Sequence, residues 1–523
     1  MSRSRDRSRR APERGGRNGF QQGRIVSAQM THGNPPENDS SNPTPSPEVD
    51  DGQSPRVVAL KMITVTSFAA VLIGLVAVLF EQLEDLGAVS MAFLKGHSED
   101  GEPLVTGIWT TILPAASVLV AMPLIIGLQR HFFPGTEGTG IPQAIAAIRI
   151  GPSPARRFML STRIALGKIL LLAIALVSGI TVGREGPSVH VGACLMHLCT
   201  RICRAPSWLM HHGLILAGGA AGIAAAFNTP IAGAIFCIEE IGRTFDRRSM
   251  PAILRTVAIA CAIGVICLGD YLFYGRGNQA AILPLAWPEG LSLEEWLLSL
   301  RPWIAVPVIG VIGGLLGGGF ARGVVEGSRR IGPSLIKRPI RTGLLLGLAL
   351  AIIGILSQGD SYGGGHARTI AMLESAAKTG EPIVGWSHPF STAAASLVAL
   401  VSAIPGGLFD PSLTVGAGIG QVTHGWFHDW IAPGIGLTEV MLLWMGAYFA
   451  GVVRSPLTVA AILFEMTGAY GMILPLMLVS MIASLVAGRL CEPSIYDALA
   501  TQFLRRLGLE DSEAPTTDQS DSK

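Results

Sequence analysis

A carboxylate set between glycines inside an apolar region is the residue with the most chemistry to explain. Gly183-Arg184-Glu185-Gly186-Pro187 follows the apolar run Ile169–Ile180, and a small-residue stretch begins at Val189. At membrane depth a carboxylate costs from ~2.5 kcal/mol upward, so it normally marks a route for ions or protons. The flanking glycines let the backbone turn sharply and approach a ligand closely. Pro187 suits the first turn of a helix, where a missing N–H costs nothing. The expected element is a helix start that aims N–H groups and a titratable acid at an anion.

Other stretches carry side chains able to work with that acid. Gly138-Thr139-Gly140-Ile141-Pro142 places a hydroxyl between two glycines at a helix start. The Thr139 hydroxyl either caps that helix or donates to an anion beside the N–H groups that follow. Gly406-Gly407-Leu408-Phe409-Asp410-Pro411 repeats the shape; Leu408 and Phe409 can present amides to a ligand, and Asp410 is expected to cap the next helix. Glu239-Glu240 closes the run Ile231–Ile238. Glu239 is expected to sit at a helix end in water near Arg243, whereas Glu240 is either solvated likewise or the far end of a proton path. Lys168 either snorkels to the interface or lends positive potential to an anion path. Tyr496 is an interfacial aromatic or a hydrogen-bond donor.

Competing chemistries lack their partners. His190, Cys194 and His197 share a helical face, but no acid or second cysteine pair completes a metal site. Ser188 and His190 stand two apart, so on a helix they point away from each other. No HExxH or G-x-S-x-G pattern accompanies them. Neither an enzyme nor a metal or other cofactor is expected. The seven cysteines show no paired spacing and read as buried thiols without a disulfide framework.

The elements that must position these residues are membrane helices. Of 523 residues, 49% are hydrophobic and 15% charged, against about 25% charged in an average soluble chain. Apolar runs occupy Val57–Phe80, Leu104–Leu128, Ile164–Ile180, Ile253–Leu268, Trp303–Gly319, Thr342–Leu356, Ser391–Ile404 and Val440–Val453. A last one, Leu457–Leu490, is broken by Glu465. The longer runs suffice to cross a ~30 Å hydrocarbon layer, giving an all-α protein of roughly ten or more helical segments. The glycines of Gly310–Gly319 suit close helix packing. Glycine- and proline-broken apolar segments at 133–142 and 183–187 are loosely echoed by Ile404–Pro411. Interrupted segments in both halves point to inverted repeats with a site at their interface.

Residues 1–56 are polar and rich in Arg, Ser, Pro and Asn, and are expected to form a disordered basic tail. Arg3, Arg5, Arg7, Arg9 and Arg10 suit contact with anionic lipid, and a transit peptide is the other reading. No apolar segment of a signal peptide follows. The loop after the first span is acidic (Glu81, Glu84, Asp85, Glu99, Asp100, Glu102), with Lys95 its only base. Arg130, Arg149, Arg156 and Arg157 follow the second span, and Arg505-Arg506 closes the last. This asymmetry places both termini in the cytoplasm. The residues after Tyr496 are too few for a folded regulatory domain. The net charge of +2 singles out no partner, and no nucleic acid is expected.

In combination these motifs resemble the CLC chloride channels and proton/chloride exchangers, over about residues 58–505. The family's GSGIP stands here as GTGIP (138–142), GREGP as GREGP (183–187), and GxFxP as GLFDP (407–411). Lys168, AAAFNTPIAG…IEE (224–240), RSPLT…EMT (454–467) and Tyr496 fall where the family has counterparts. The resemblance implies a CLC-type inverted-repeat bundle of tilted and broken helices at 57–505, homodimeric, with one pathway per subunit and a short polar tail at 506–523. It implies that Thr139, Tyr496 and the amides of Leu408 and Phe409 hold a chloride. Gly138, Gly140, Gly186 and Gly407 would shape that site, supported by Lys168 and Arg184. Glu185 would be the gating glutamate, displaced by an anion when protonated and replacing it when not, and Glu240 the inner proton acceptor. The implied function is proton-coupled chloride antiport, with a passive chloride channel as the alternative, in a multi-pass protein of a bacterial inner membrane. Thr139 departs from the family's serine, which puts selectivity among chloride, bromide and nitrate in question. The family's fluoride branch departs at positions where Thr139 and Tyr496 keep their hydroxyls.

Overall fold

A computed structural model describes residues 55–96, 107–203, 212–243, 246–269, 272–274 and 300–509. Residues 1–54, Glu99, Asp100, Glu102 and residues 510–523 lie outside these, and with them most of the expected tails; Pro55 and Arg56 instead open the first helix and Arg506 ends the last. Residues 52–503 make one compact body, to which every site below belongs. Of the other unit, 1–51 with 504–523, only Leu504–Leu509 are described, at the end of the last helix.

The first half contains α1 (Pro55–Leu94), α2 (Trp109–His131), α3 (Ile141–Arg149), α4 (Pro154–Met159) and α5 (Thr162–Val177). It continues with α6 (Glu185–Cys203), α7 (Leu214–Phe227), α8 (Pro230–Phe236) and α9 (Met250–Leu268), and α8 runs on into a π-helical turn, Cys237–Gly242. The second half contains α10 (Ala305–Lys337), α11 (Pro339–Leu356), α12 (His366–Lys378), α13 (Ser387–Val401) and α14 (Phe409–Trp426). It ends with α15 (Leu437–Val453), α16 (Pro456–Thr467), α17 (Ile473–Gly488) and α18 (Ile495–Arg506). Among the described residues the only β pairing is an isolated bridge between Gly183 and Gly407.

Among the described residues, seven helical stretches are long and apolar enough to cross a membrane, and α7, α13, α15 and α16 are shorter apolar helices. The protein is an integral, multi-pass membrane protein. The final apolar run breaks at Gly468, which closes α16 in the left-handed region, whereas Glu465 stays helical. Helix α7 lies outside the apolar runs named above although it is apolar throughout, being only 14 residues long, and all of it is buried. The α10 glycines pack as expected. A Cβ at Gly310, Gly314 or Gly318 would stand 2.9, 2.6 or 2.9 Å from Ile482, Ala483 or Ala487 of α17. Gly313 and Gly317, on the adjoining strip, meet α15 in the same way.

The halves repeat each other far more strongly than the sequence echo suggests. Left-handed residues recur as pairs: Gly138 with Gly363, Gly140 with Gly365, Gly179 with Ala403, Asn228 with Arg454, and Arg243 with Gly468. The second member of each pair follows the first at a nearly constant interval. Their contacts are reciprocal. Gly138 N–H donates to Ala403 O at 2.8 Å, and Gly363 N–H to Gly179 O at 2.9 Å. Glu239 accepts from the N–H groups of Leu457 and Thr458 at the start of α16. Glu465 accepts from those of Ile231 and Ala232 at the start of α8. Contacts in which i meets j and the counterpart of j meets the counterpart of i define a two-fold relation. The Gly183–Gly407 bridge, which pairs a residue with its own counterpart, lies on that axis.

Candidate functional site

Two helices begin immediately beyond the axial bridge. Gly183 N–H donates to Gly407 O at 2.9 Å and Gly407 N–H to Gly183 O at 2.5 Å. Glu185 then opens α6 and Phe409 opens α14. The first N–H groups of a helix have no intrahelical acceptor and carry the positive end of its dipole, so the bridge gathers two such ends at one point. The Glu185 carboxylate folds back onto it. A Cβ on Gly183 would lie 2.8 Å from Oε1, and one on Gly407 would strike Oε2 and lie 3.2 Å from Glu185 N. Glu185 is 0% exposed, and neither of its oxygens makes a hydrogen bond of good geometry.

Arg184 is turned elsewhere. Its guanidinium pairs with Glu81, lies 3.3 Å from Glu84 and donates to Ala226 O at 3.2 Å. It therefore anchors the start of α6 to α1 and the end of α7.

A third helix start comes from the GTGIP segment. Gly140, at φ 102°, is the N-cap of α3 without a side-chain cap bond. The capping role open to Thr139 is thus not taken; its buried Oγ1 has no protein partner. Thr139 rests on α6, since a Cβ on Gly186 would lie 2.8 Å from Thr139 O and 2.9 Å from its Cβ. Lys168 does not snorkel. Its Nζ is buried, donates to Gly138 O at 2.6 Å, and would stand 3.0 Å from a Cβ on Gly140.

At α14 the N-cap is Leu408, again without a side-chain bond. Asp410 is not the cap. It falls inside the first turn, where Oδ1 accepts from the Tyr274 hydroxyl at 3.0 Å. The Phe409 ring packs against Phe449 at 4.6 Å and Tyr496 at 6.4 Å between centroids. Tyr496 is 0% exposed rather than interfacial, and its hydroxyl has no protein partner. It lies within electrostatic reach of both Glu185 and Glu240.

Glu240 sits in the π-helical turn and is 2% exposed. Its oxygens accept from Ser455 Oγ at 2.7 Å and Ser494 Oγ at 3.1 Å. Arg243, 3.8 Å away, also bonds Ser494 and Asp497. Ser494 and Tyr496 flank the start of α18, so one short segment connects the acid to the phenol. Glu239 is not a solvated acid: its carboxylate also takes the Thr458 hydroxyl at 2.6 Å, in the α16 start described above.

The residues of the competing chemistries are engaged separately. Ser188 Oγ donates to Arg184 O, His190 Nε2 is 3.0 Å from Met159 O, and Cys194 Sγ is 3.9 Å from the same oxygen. Six cysteines are buried and Cys267 is exposed. Missed by sequence reasoning are Glu84 and Tyr274, which meet Asp410, and His366, whose ring lies beside that of Tyr274. The one available signal was the i, i+3 pair Glu81 and Glu84 at the end of an apolar run.

Known proteins are similar to this chain in sequence and fold. Residues 118–488 match the family described as voltage gated chloride channel. The H(+)/Cl(-) exchange transporter ClcA of Vibrio cholerae serotype O1 (strain M66-2) is 29% identical over 453 residues, 85% of this chain and 90% of that protein. The protein of the same name from Cronobacter sakazakii (strain ATCC BAA-894) is 28% identical over 463 residues, 86% of this chain and 91% of its own. A solved structure of a slow cyanobacterial Cl-/H+ antiporter is similar at a TM-score of 0.67 and 24% identity, covering 85% of this chain and 98% of that one. A CLC-type fluoride/proton antiporter is similar at 0.64 and 20%, covering 85% and 99%. These likenesses extend the fold over most of the described residues. With the family match spanning most of its length, the chain belongs to the voltage gated chloride channel family, the CLC proteins.

Proposed function

We propose that this protein exchanges chloride for protons across a membrane, along a pathway contained in each chain. One observation carries the reading: the buried Glu185 carboxylate lies where two helix N-termini converge, a place built to hold an anion. A dehydrated chloride is stabilised by helix ends and hydroxyls without a full positive charge, so it is held but released. Thr139 Oγ1, Tyr496 Oη and the amides of Leu408 and Phe409 supply those donors; Gly138, Gly140, Gly186 and Gly407 keep the space open. Lys168 and Arg184 fix the starts of α3 and α6. Deprotonated, Glu185 occupies the junction in place of chloride. Protonated, it no longer resembles an anion and yields to one. Glu240, tied by Ser494 to the segment that carries Tyr496, is the inner proton acceptor. The relatives named as H(+)/Cl(-) exchange transporters support the same reading.

The chain is expected to work as a homodimer in a bacterial inner membrane, with residues 57–505 as the transport domain and the tails at 1–56 and 506–523 in the cytoplasm. Chloride and protons measured together from proteoliposomes test the proposal. Chloride driven down its gradient should pump protons the other way. A reversal potential indifferent to an imposed pH gradient would instead mark a passive channel, for which the buried Glu240 has no use.

A further inference from the structure

We infer that Asp410 and Glu84 form a carboxyl pair that holds a proton beside Glu185 and passes it on, so that Glu185 is loaded from a buried donor. The inference rests on the exchange reading above.

Asp410 is 0% exposed, and while Oδ1 takes the Tyr274 hydroxyl, Oδ2 has no donor. Glu84, on α1, has a side chain 12% exposed and both oxygens without a hydrogen bond of good geometry. These orphans face one another. The place a Cβ on Gly364 would take is 2.9 Å from Glu84 Oε1 and 3.4 Å from Asp410 Oδ2, and the two carboxyls contact each other as a pair. Ionised carboxylates only accept, and two in contact out of water cannot both be ionised. One proton between them satisfies both orphaned oxygens in a single bond.

The surrounding charges require the same proton. Facing the pair are Glu81 from α1, Arg184 and Glu185 from the start of α6, Tyr274, and His366 from the start of α12, whose ring lies 5.6 Å from that of Tyr274. Four carboxyls thus meet one guanidinium and one imidazole, and the guanidinium already pairs with Glu81. Unbalanced buried charge is costly enough that the protein keeps a proton instead. The order in space suits a relay. Glu81 is the partly exposed end, Glu84 keeps a little side-chain exposure but buries its oxygens, Asp410 and Glu185 are fully buried, and the axial bridge sets the first turns of α14 and α6 side by side.

In the transfer, the O–H bond at Asp410 breaks as one forms on Glu185. That leaves both members of the pair ionised until Glu84 takes up a proton relayed from water beside the partly exposed Glu81, and the new proton is again shared with Asp410. One proton moves and nothing is oxidised or reduced.

The test uses the full chain in proteoliposomes. Asp410→Asn keeps the acceptor for Tyr274 but carries no transferable proton, and Glu84→Gln is the second variant. Each should lower coupled exchange roughly tenfold, a modest share of what positioned acids and bases contribute. In a Glu185→Gln background, neither should change the remaining chloride flow by more than about twofold, because a donor without its acceptor has no work. Equal losses with and without Glu185, or wild-type exchange in both variants, would overturn the inference. Should Asp410→Asn not fold, Glu84→Gln decides the transport arm. Infrared difference spectra of the unaltered protein give a readout independent of transport: a buried protonated carboxyl band at neutral pH, shifted in D2O and altered by Glu84→Gln. Absence of that band would equally overturn it. Proton pumping by Glu185→Gln alone would instead remove Glu185 from the proton path, and with it the role on which the inference rests.

Discussion

The reciprocal acid caps allow the most direct calculation. Glu465 accepts from Ile231 N–H at 3.1 Å and Ala232 N–H at 2.7 Å. Glu239 accepts from Leu457 N–H at 3.1 Å, Thr458 N–H at 2.7 Å and the Thr458 hydroxyl at 2.6 Å. Truncating either to alanine strips an anion from a helix N-terminus and leaves two first-turn amides without an acceptor. Hydrogen bonds to a charged group are worth ~1.5–3 kcal/mol, and the helix dipole adds ~0.3–1 kcal/mol. Partial exposure favours the lowest values, so Glu465→Ala should destabilise by about 3 kcal/mol. Glu239→Ala, which loses one more bond, should cost ~1.5 kcal/mol beyond that. The measurement is the unfolding midpoint of purified protein in a fixed detergent, with Glu374→Ala as reference. Among the described residues Glu374 pairs only with Lys378, and its side chain is 54% exposed, so that change should stay within ~0.5 kcal/mol. Because Ser455 stands at the start of α16 and donates to Glu240, Glu239→Ala should also weaken proton coupling, whereas Glu465→Ala should spare it. A Glu239→Ala protein no less stable than Glu374→Ala would refute the capping argument and return Glu239 to solvent.

Glu185→Gln should pass chloride at a rate independent of pH and move no protons, while unaltered protein should pass more chloride as pH falls and the acid leaves the junction; paired flux assays read both. Glu240→Gln keeps an acceptor for one serine and should likewise keep chloride flow while losing protons, so stoichiometric proton flux in that variant would remove Glu240 from the path. In Gly407→Ala, a methyl group takes the space of Glu185 Oε2, an overpacking of ~1–3 kcal/mol that should push the carboxylate out. Chloride flow at alkaline pH should then rise and coupling weaken; an unaltered pH curve in folded protein counts against the carboxylate lying at the junction.

Much of this was legible from residue types. A glycine-bracketed acid in apolar sequence announces a helix start that faces a ligand, and α6 begins at Glu185. Long apolar runs are helices because hydrocarbon leaves backbone groups no other partner. What escaped depends on contacts remote along the chain. Glu239 reads locally as the solvated end of a helix, yet its partner Leu457 lies 218 positions away. Asp410 has the spacing of a cap, but α14 starts one residue earlier, and its side chain is claimed by Tyr274, 136 positions before it. Lys168 and Tyr496 each admitted two readings because composition cannot tell the face toward lipid from the face toward protein. Burial decided both. Helix α7 escaped because its 14 residues are too few to stand out as a span, although its small side chains are what permit its neighbours to approach.

The two-fold frame also bears on direction of travel. Turning the molecule over about the axial bridge superimposes helix starts on helix starts, so the backbone alone offers ions the same welcome from either face. The correspondence fails at particular side chains: Glu185 is answered by Phe409, Thr139 by Gly364, and Glu240 by Met466. Any rectification, any preference for loading protons on one side and discharging them on the other, must be written in those mismatched places. Exchanging residues between matched seats would therefore reverse or erase the polarity of the machine while leaving its architecture alone.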